Sequence, residues 1–162
     1  MSTIIATFFY SGYLKPAPGT WGSLAALPFA FAILSVGGWM LLAICAAVTY
    51  FAGLWATKVE TADADDHDPS EIVIDEVVGQ WIALLPVGYG AASSGVDLLA
   101  LWPGWIAAFV LFRLFDITKP SLVGWADKRN DAIGVMLDDV IAGIMAAIGV
   151  VLLAAIYHLG MS

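Results

Sequence analysis

The chain alternates between long apolar runs and short clusters of charge. Its apolar runs cover residues 24–36, 39–57, 77–89, 98–115 and 140–157. Gly37-Gly38 divides the first pair and Ala92-Ser93-Ser94-Gly95 divides the second, and both sequences are typical of turns. The last run has 18 residues, close to the ~20 that one bilayer crossing needs. The pattern predicts an all-α, multi-pass membrane bundle of two helical hairpins and a C-terminal transmembrane helix.

Two of the predicted helices are short for a membrane crossing. Runs 24–36 and 77–89 have 13 residues each, about 20 Å as α-helix, against a hydrocarbon core of ~30 Å. Run 77–89 also contains Pro86. Either hairpin is therefore expected to be partly re-entrant, or else tilted and sheltered by the other helices.

The hairpins also predict which segments share a membrane face. Because a hairpin returns the chain to the side it left, residues 1–23, 58–76 and 113–139 are expected on one face. All six Lys and Arg residues lie in these three segments. Basic residues are retained on the cytoplasmic side of bacterial membranes, so this face is predicted to be cytoplasmic and the tail 157–162 to lie outside.

Composition supports a membrane protein and excludes several other classes. The 162 residues suit one domain, covering 1–162, and 61% of them are hydrophobic, against roughly 45–50% in soluble domains. Such hydrophobicity excludes intrinsic disorder, and the single cysteine, Cys45, excludes a disulfide scaffold. The net charge of -8 argues against nucleic acid as a partner. No cleavable signal is expected in residues 1–23.

The first candidate motif is P-A-P-G-T-W-G-S, residues 16–23. Its glycines let backbone N–H groups converge at the start of a helix, which is a plausible phosphate cradle. The alternative is an ordinary helix start, with Thr20 or Ser23 as the N-cap.

Two further motifs each place adjacent carboxylates beside an apolar helix. They are I-V-I-D-E-V-V-G at 72–79 and G-V-M-L-D-D-V-I-A-G at 134–143. Acids at a helix N-terminus are favourable through capping and the helix dipole, which is the structural alternative. Four such acids packed together would repel one another unless a cation bound between them. Oxygen ligands without His or Cys favour a hard cation, Mg²⁺ first.

The fourth motif is F-R-L-F-D-I-T-K-P, residues 112–120. Residues three apart share a helix face, so Arg113 is expected beside Asp116, and Asp116 beside Lys119. One interpretation is an ion-pair ladder at the membrane surface. The other is that Asp116 joins the metal site while Arg113 and Lys119 bind a phosphoryl group.

The sequence gives little support for a histidine metal site, a nucleotide-binding loop or a serine hydrolase. The acidic segment 60–71 has few apolar residues and is predicted to be a solvated loop, with His67 exposed rather than bound to a metal. The chain has no G-x-x-x-x-G-K-[ST] phosphate loop and no G-x-S-x-G hydrolase elbow.

Taken in order, the four motifs resemble the phosphatidylglycerophosphatase A family over nearly the whole chain. The resemblance implies a Mg²⁺-dependent enzyme of phospholipid synthesis that removes the terminal phosphate of phosphatidylglycerophosphate, at the cytoplasmic face of a bacterial inner membrane. It implies that the catalytic and metal-binding residues are Asp75, Glu76, Asp116, Asp138 and Asp139. It implies that the phosphate-binding residues are Thr20, Ser23, Arg113 and Lys119. The family often has a second proline after K-P, where this chain has Ser121-Leu122.

Several alternatives remain open from the sequence. The nucleophile is expected to be a metal-activated water, but one carboxylate could instead take the phosphoryl group covalently. The substrate could be another lipid phosphate or a polyprenyl phosphate. A non-enzymatic cation-binding or transport subunit is also possible, but it would place its acids near the bilayer midplane rather than at the ends of the spans.

Overall fold

The computed structural model describes residues 1–62, 69–129 and 131–160, and the regular structure in these ranges is helical. The predicted all-α class is therefore confirmed. The helices, in chain order, are α1 (Ser2–Ala6), α2 (Pro18–Glu60), α3 (Ile74–Ser94), α4 (Trp102–Thr118), α5 (Leu122–Asp127) and α6 (Ala132–Gly160). Short 3₁₀ turns cover Ser11–Tyr13 and Leu98–Leu101.

The long helix α2 is a hairpin of two helices that meet at Gly38. Gly38 has φ 67° and ψ -166°, a conformation that essentially only glycine adopts. Contacts at both ends of α3 show that the two halves run antiparallel: Leu34 and Trp39 lie against Gly88, Gly22 lies against Val73, and Gly53 lies against Ile74. The first predicted hairpin is thus confirmed, and α3 and α4 form the second around Gly95.

The helices are longer than the apolar runs that predicted them. The first half of α2 begins at Pro18 instead of residue 24, so it has about 20 residues and spans about 30 Å. Helix α3 has 21 residues because it extends the run 77–89 at both ends, to Ile74 and to Ser94, and so includes Asp75 and Glu76 in its first turn. Both arms are therefore long enough to cross a hydrocarbon core without being re-entrant.

Helix α3 is the central helix, and the others surround it. It packs against α2, α4 and α6, and most of its side chains are buried. Within the described residues, three helical segments around it are long and apolar enough to cross a membrane: Pro18–Glu60, Leu98–Thr118 and Ala132–Gly160. Their outward faces are apolar, as along α2, where Ile44, Val48 and Phe51 are 60%, 64% and 68% exposed. A surface of this kind belongs in lipid, so the chain is a membrane protein.

Glycines bring three helices into close contact at one end of the bundle. A Cβ on Gly143 of α6 would lie 2.5 Å from the carbonyl oxygen of Gly79 in α3. A Cβ on Gly79 would in turn lie 2.4 Å from the ring of Phe112 in α4. Without side chains at these positions, α3, α4 and α6 approach closely, and the polar residues of all three helices meet at this end.

Candidate active site

We call the end of the bundle where α2, α3 and α6 begin and α4 ends the polar end. Three carboxylates form its centre. Asp75 and Glu76 of α3 and Asp139 of α6 each offer an oxygen, and these oxygens all lie within 4.8 Å of one another. Asp75 is 7% exposed and Asp139 is 2% exposed. Buried carboxylates this close repel one another strongly when ionised, so the arrangement favours a bound cation or shared protons. We call Asp75, Glu76 and Asp139 the carboxylate triad.

The second acid pair lies inside its helix and not at its mouth. Helix α6 begins at Ala132, and its N-cap is Asp131, whose Oδ1 accepts a hydrogen bond from the Gly134 N–H at 2.7 Å. Asp138 and Asp139 follow in the second turn. Side-chain capping acts only on the free N–H groups of the first turn. The capping interpretation is therefore wrong for this pair.

The first acid pair does lie in the first turn of its helix. Asp75 and Glu76 follow Val73, which is the N-cap of α3 and forms no side-chain capping hydrogen bond. The positive end of the helix dipole favours their negative charge. That interaction accounts for acids at this position, but not for their burial against Asp139.

Arg113 connects the triad to the fourth helix. Its Nη1 lies 2.5 Å from Asp116 Oδ2 and 3.9 Å from Glu76 Oε1, and all three side chains are largely buried. The predicted pairing of Arg113 with Asp116 is confirmed. Asp116 is not one of the triad, but it lies close enough to Glu76 and Asp139 to interact with both electrostatically.

Lys119 does not share a helix face with Asp116 as the spacing predicted. Helix α4 ends at Thr118, and Lys119 adopts a left-handed conformation with φ 44°. Its Nζ pairs instead with Asp127 of α5 and with Asp138 of α6, the latter at 3.0 Å. Burial alone would lower the pKa of Lys119, but its hydrogen bonds to Asp127 and Asp138 raise it above its ordinary value. Lys119 therefore remains a cation that holds Asp138 in place.

The glycine-rich motif forms the start of α2, close to the triad. The helix begins at Pro18, after Ala17 as an N-cap without a side-chain hydrogen bond, so the prediction of Thr20 or Ser23 as the cap is wrong. A Cβ on Gly19 would come within 2.1 Å of Glu76 Oε1 and 3.1 Å of Arg113 Nη1. The N-terminal turn of α2, with Thr20 half-buried, therefore lies beside these charged groups.

Ser23 lies one turn further into the bundle. It is 0% exposed, and its hydroxyl donates to the carbonyl oxygen of Gly19 at 2.8 Å. The structure therefore brings Thr20 to the polar end and buries Ser23 beneath it.

Gln80 is a polar residue of this region that the motifs did not identify. It is one turn beyond Glu76 on α3, is 0% exposed, and neither Nε2 nor Oε1 forms a hydrogen bond to any described residue. The feature of the sequence that could have identified Gln80 is its position as a polar residue inside the apolar run 77–89. A buried amide in such a run needs a polar partner.

One acidic segment cannot be placed. Residues 63–68, which include His67 and half of the predicted solvated loop 60–71, lie outside the described residues.

The charges at the polar end do not balance. Around the triad, the five carboxylates of Asp75, Glu76, Asp116, Asp138 and Asp139 face the side chains of Arg113 and Lys119, and Lys119 is also paired with Asp127, so carboxylates outnumber the cations that contact them. Glu76 Oε2 and Asp139 Oδ1 are buried without a hydrogen-bond partner among the described residues. These oxygens are the kind of donor that a hard divalent cation binds. A site with this excess charge, next to Arg113 and a helix N-terminus, can hold a metal ion and a phosphoryl group together.

The sequence of this chain is similar to that of a known family and of several named relatives. The family described as Phosphatidylglycerophosphatase A matches residues 4–154. A Haemophilus influenzae protein named Phosphatidylglycerophosphatase A is 39% identical over 146 residues, which are 90% of this chain and 83% of the relative. The Escherichia coli protein of the same name is 34% identical over 146 residues, which are 89% and 78%.

A third relative has a different name. The Putative phosphatidylinositol-3-phosphatase of Bacteroides thetaiotaomicron is 39% identical over 160 residues, which are 91% of this chain and 90% of the relative. No solved structure matches the chain.

Proposed function

Because the chain belongs to the phosphatidylglycerophosphatase A family and is therefore a phosphatase, we propose that it hydrolyses the terminal phosphate of phosphatidylglycerophosphate. The products are phosphatidylglycerol and inorganic phosphate. The observation that carries this proposal is the buried carboxylate triad beside Arg113 and the N-terminus of α2. The triad, Arg113 and the N-terminus of α2 lie together at one end of a bundle whose outer surface is apolar. In a membrane, that end would lie at the level of the lipid head groups, where the phosphate of a lipid substrate is found.

We propose Mg²⁺ as the cofactor, held by the carboxylate triad with Asp116 and Asp138 around it. The residues fit this ion because the donors are all carboxylate oxygens, are buried, and include oxygens without a partner among the described residues. When bound, Mg²⁺ would neutralise phosphate charge and make a water molecule more acidic.

The protein's own residues supply the remaining steps. Arg113 neutralises the charge of the phosphoryl oxygens, and backbone N–H groups at the start of α2, beside Thr20, orient them. A water oxygen attacks phosphorus, the bond from phosphorus to the glycerol oxygen breaks, and a triad carboxylate accepts the proton of the water. The leaving glycerol oxygen then takes up that proton. Lys119 positions Asp138 through its ion pair.

We propose further that the site faces the cytoplasm from the bacterial inner membrane. The support is the clustering of basic residues at the polar end, where Lys58 lies in the last turn of α2 and Lys128 follows α5. Two single-cysteine variants in a Cys45→Ser background test the orientation. An impermeant maleimide added to whole cells should label Ser93→Cys, at the opposite end, but label Lys128→Cys only after the inner membrane is opened. The reverse pattern would overturn this orientation.

The Bacteroides relative supports a second candidate substrate, a phosphoinositide. Phosphate release by the purified protein decides between the two. We expect kcat/KM for phosphatidylglycerophosphate to exceed that for phosphatidylinositol 3-phosphate, phosphatidic acid and a polyprenyl phosphate by at least about tenfold. A preference for the phosphoinositide would favour the second candidate.

The same assay tests the metal. Activity should be lost in excess EDTA and return with added Mg²⁺, because the proposed ligands are all carboxylates. Full activity in EDTA would contradict a carboxylate-bound metal.

A further inference from the structure

Gln80 lies inside the bundle with its amide unpaired. It is 0% exposed, and neither amide atom forms a hydrogen bond within the described part of the chain. Burying an amide without a partner is destabilising, and an apolar side chain of similar size avoids that cost. A polar residue at this position therefore requires a ligand or an ordered water to satisfy it.

The position of Gln80 relates it to the polar end. Gln80 and Glu76 are four residues apart in α3 and lie on one face of the helix. Long side chains in a helix point toward its N-terminus, which in α3 is the polar end. The preceding residue, Gly79, lies against Phe112 of α4, and the following residue, Trp81, donates a hydrogen bond to α2. Gln80 is thus enclosed between α2 and α4, one turn beneath Glu76.

Glu76 and its ion-pair partner Arg113 also have unpaired buried atoms at this end of the bundle. Glu76 Oε2 and Arg113 Nε are both buried without a hydrogen bond to a described residue. Together with Gln80 they offer two kinds of donor, an amide NH₂ and a guanidinium N–H, and two kinds of acceptor, an amide oxygen and a carboxylate oxygen.

This mixture selects one class of ligand. A phosphate oxygen only accepts hydrogen bonds, so it would leave the amide oxygen of Gln80 unpaired. A metal ion binds only acceptors, so it would leave the amide NH₂ unpaired. A hydroxyl group both donates and accepts, so it can satisfy the amide together with either charged neighbour.

We propose that Gln80, with Glu76 and Arg113, binds a hydroxyl group next to the reacting phosphate. The hydroxyl belongs either to the head group of the lipid or to a water molecule. In phosphatidylglycerophosphate, the carbon beside the phosphate-bearing carbon of the head-group glycerol carries such a hydroxyl. This proposal rests on the proposed phosphatase function and identifies the part of the substrate that the site recognises.

The test compares the purified wild-type protein with Gln80→Met, which keeps the length of the side chain but removes the amide. Two substrates are used, phosphatidylglycerophosphate and an analogue with propane-1,3-diol in place of the head-group glycerol. We expect kcat/KM of Gln80→Met for the natural lipid to fall about tenfold, the effect of one hydrogen bond. Its melting temperature should be unchanged or higher, because an unpaired buried amide has been removed.

The analogue identifies the source of the hydroxyl. If it comes from the lipid, the wild type should prefer phosphatidylglycerophosphate over the analogue about tenfold, and Gln80→Met should lose that preference. If it comes from water, Gln80→Met should be slowed equally on both substrates. Wild-type kinetics of Gln80→Met on both substrates would overturn the proposal.

Thr57→Val is the matched control. Thr57 of α2 is also 0% exposed, and its hydroxyl has no hydrogen-bond partner in the described ranges. The substitution likewise removes a buried polar group at nearly constant shape, so we expect the same absence of destabilisation but wild-type kinetics. Failure of the wild type to release phosphate from every lipid would refute the phosphatase function itself, whereas a defect confined to Gln80→Met concerns only the hydroxyl site.

Discussion

The two ends of the helical bundle are built on different principles. At the turn end the chain reverses direction at Gly38 and Gly95, which have φ of 67° and 63°. Asp97 at this end is exposed and caps a 3₁₀ turn by accepting from the Leu99 N–H at 2.7 Å. Gly38, Gly95 and Asp97 therefore each have a local, structural explanation.

At the polar end, the buried acids are in an arrangement that lowers the stability of the fold. The triad buries acids against one another, and carboxylates exceed their cationic partners. Buried charge without full compensation destabilises a fold. The comparison predicts that substitutions of Gly38 and Gly95 at the turn end change stability and leave catalysis intact, whereas substitutions of the buried acids at the polar end change catalysis and leave the fold intact.

Neutralising the acids should have the largest effect. We expect Asp75→Asn, Glu76→Gln, Asp138→Asn and Asp139→Asn to lower kcat by orders of magnitude, because each removes charge that holds the metal or the transition state. Melting temperatures in detergent should be retained or raised in the three triad variants, since repulsion is relieved, and lowered in Asp138→Asn, which weakens the ion pair with Lys119. Asp97→Asn is the control at the turn end, and it should remain fully active because Asn caps about as well as Asp. Near-wild-type turnover in all four variants would refute the catalytic role.

Gly19→Ala should lower turnover by about ten- to a hundredfold, since a misplacement of ~1 Å can cost that much. The added Cβ would meet Glu76 Oε1, the flexible end of a side chain, so Glu76 should move and the fold should survive. Gly90→Ala is the control because its Cβ meets only Leu101 Cδ1, at 3.6 Å. Steady-state kinetics of both variants check this, and equal activity would show that Glu76 tolerates displacement.

Gly38→Ala should destabilise the protein by about 1–3 kcal/mol and leave kcat unchanged, because its backbone conformation is strained for any residue with a side chain. Gly95→Asn should cost less, since Asn tolerates the left-handed conformation that Gly95 adopts as the C-cap of α3. Thermal unfolding in detergent, with activity measured in parallel, tests both variants. A catalytic defect in Gly38→Ala at full stability would contradict the division between the two ends.

The smallest effect concerns the cap of α6. Asp131→Ala should lower the free energy of unfolding by about 1 kcal/mol, and Asp131→Asn should be nearly neutral at pH 7. Hydrogen bonds from Arg129 and from the Gly134 N–H hold the pKa of Asp131 below its ordinary value. Its ionised form is therefore stabilised by folding, so its contribution is present above the unfolded-state pKa and is lost as the pH falls through the lower folded-state pKa. Stability curves of wild type and Asp131→Asn that stay parallel across that acidic range would argue against this contribution.

Much of this architecture could be predicted from the sequence. The hydrophobic runs and the glycine turns predicted two hairpins and a final helix, because helices in lipid must satisfy their own backbone and turns need glycine. The same reasoning placed the four motifs at one end. The helix boundaries were predicted poorly at Pro18 and Ala132, because helices can continue through polar residues wherever neighbouring helices shelter them.

What only the tertiary structure decided was which charged groups meet. Spacing predicted the pairing of Arg113 with Asp116, which depends on one helix alone. It assigned Lys119 the wrong partner, because α4 ends at Thr118 and the lysine then reaches Asp138 on another helix. Likewise, the selection of Asp75, Glu76 and Asp139 as neighbours depends on the close contact of α3 with α6 at Gly79 and Gly143. The sequence alone thus determined which residues reach the polar end, whereas the distances between residues of different helices are set by packing, which no local spacing encodes.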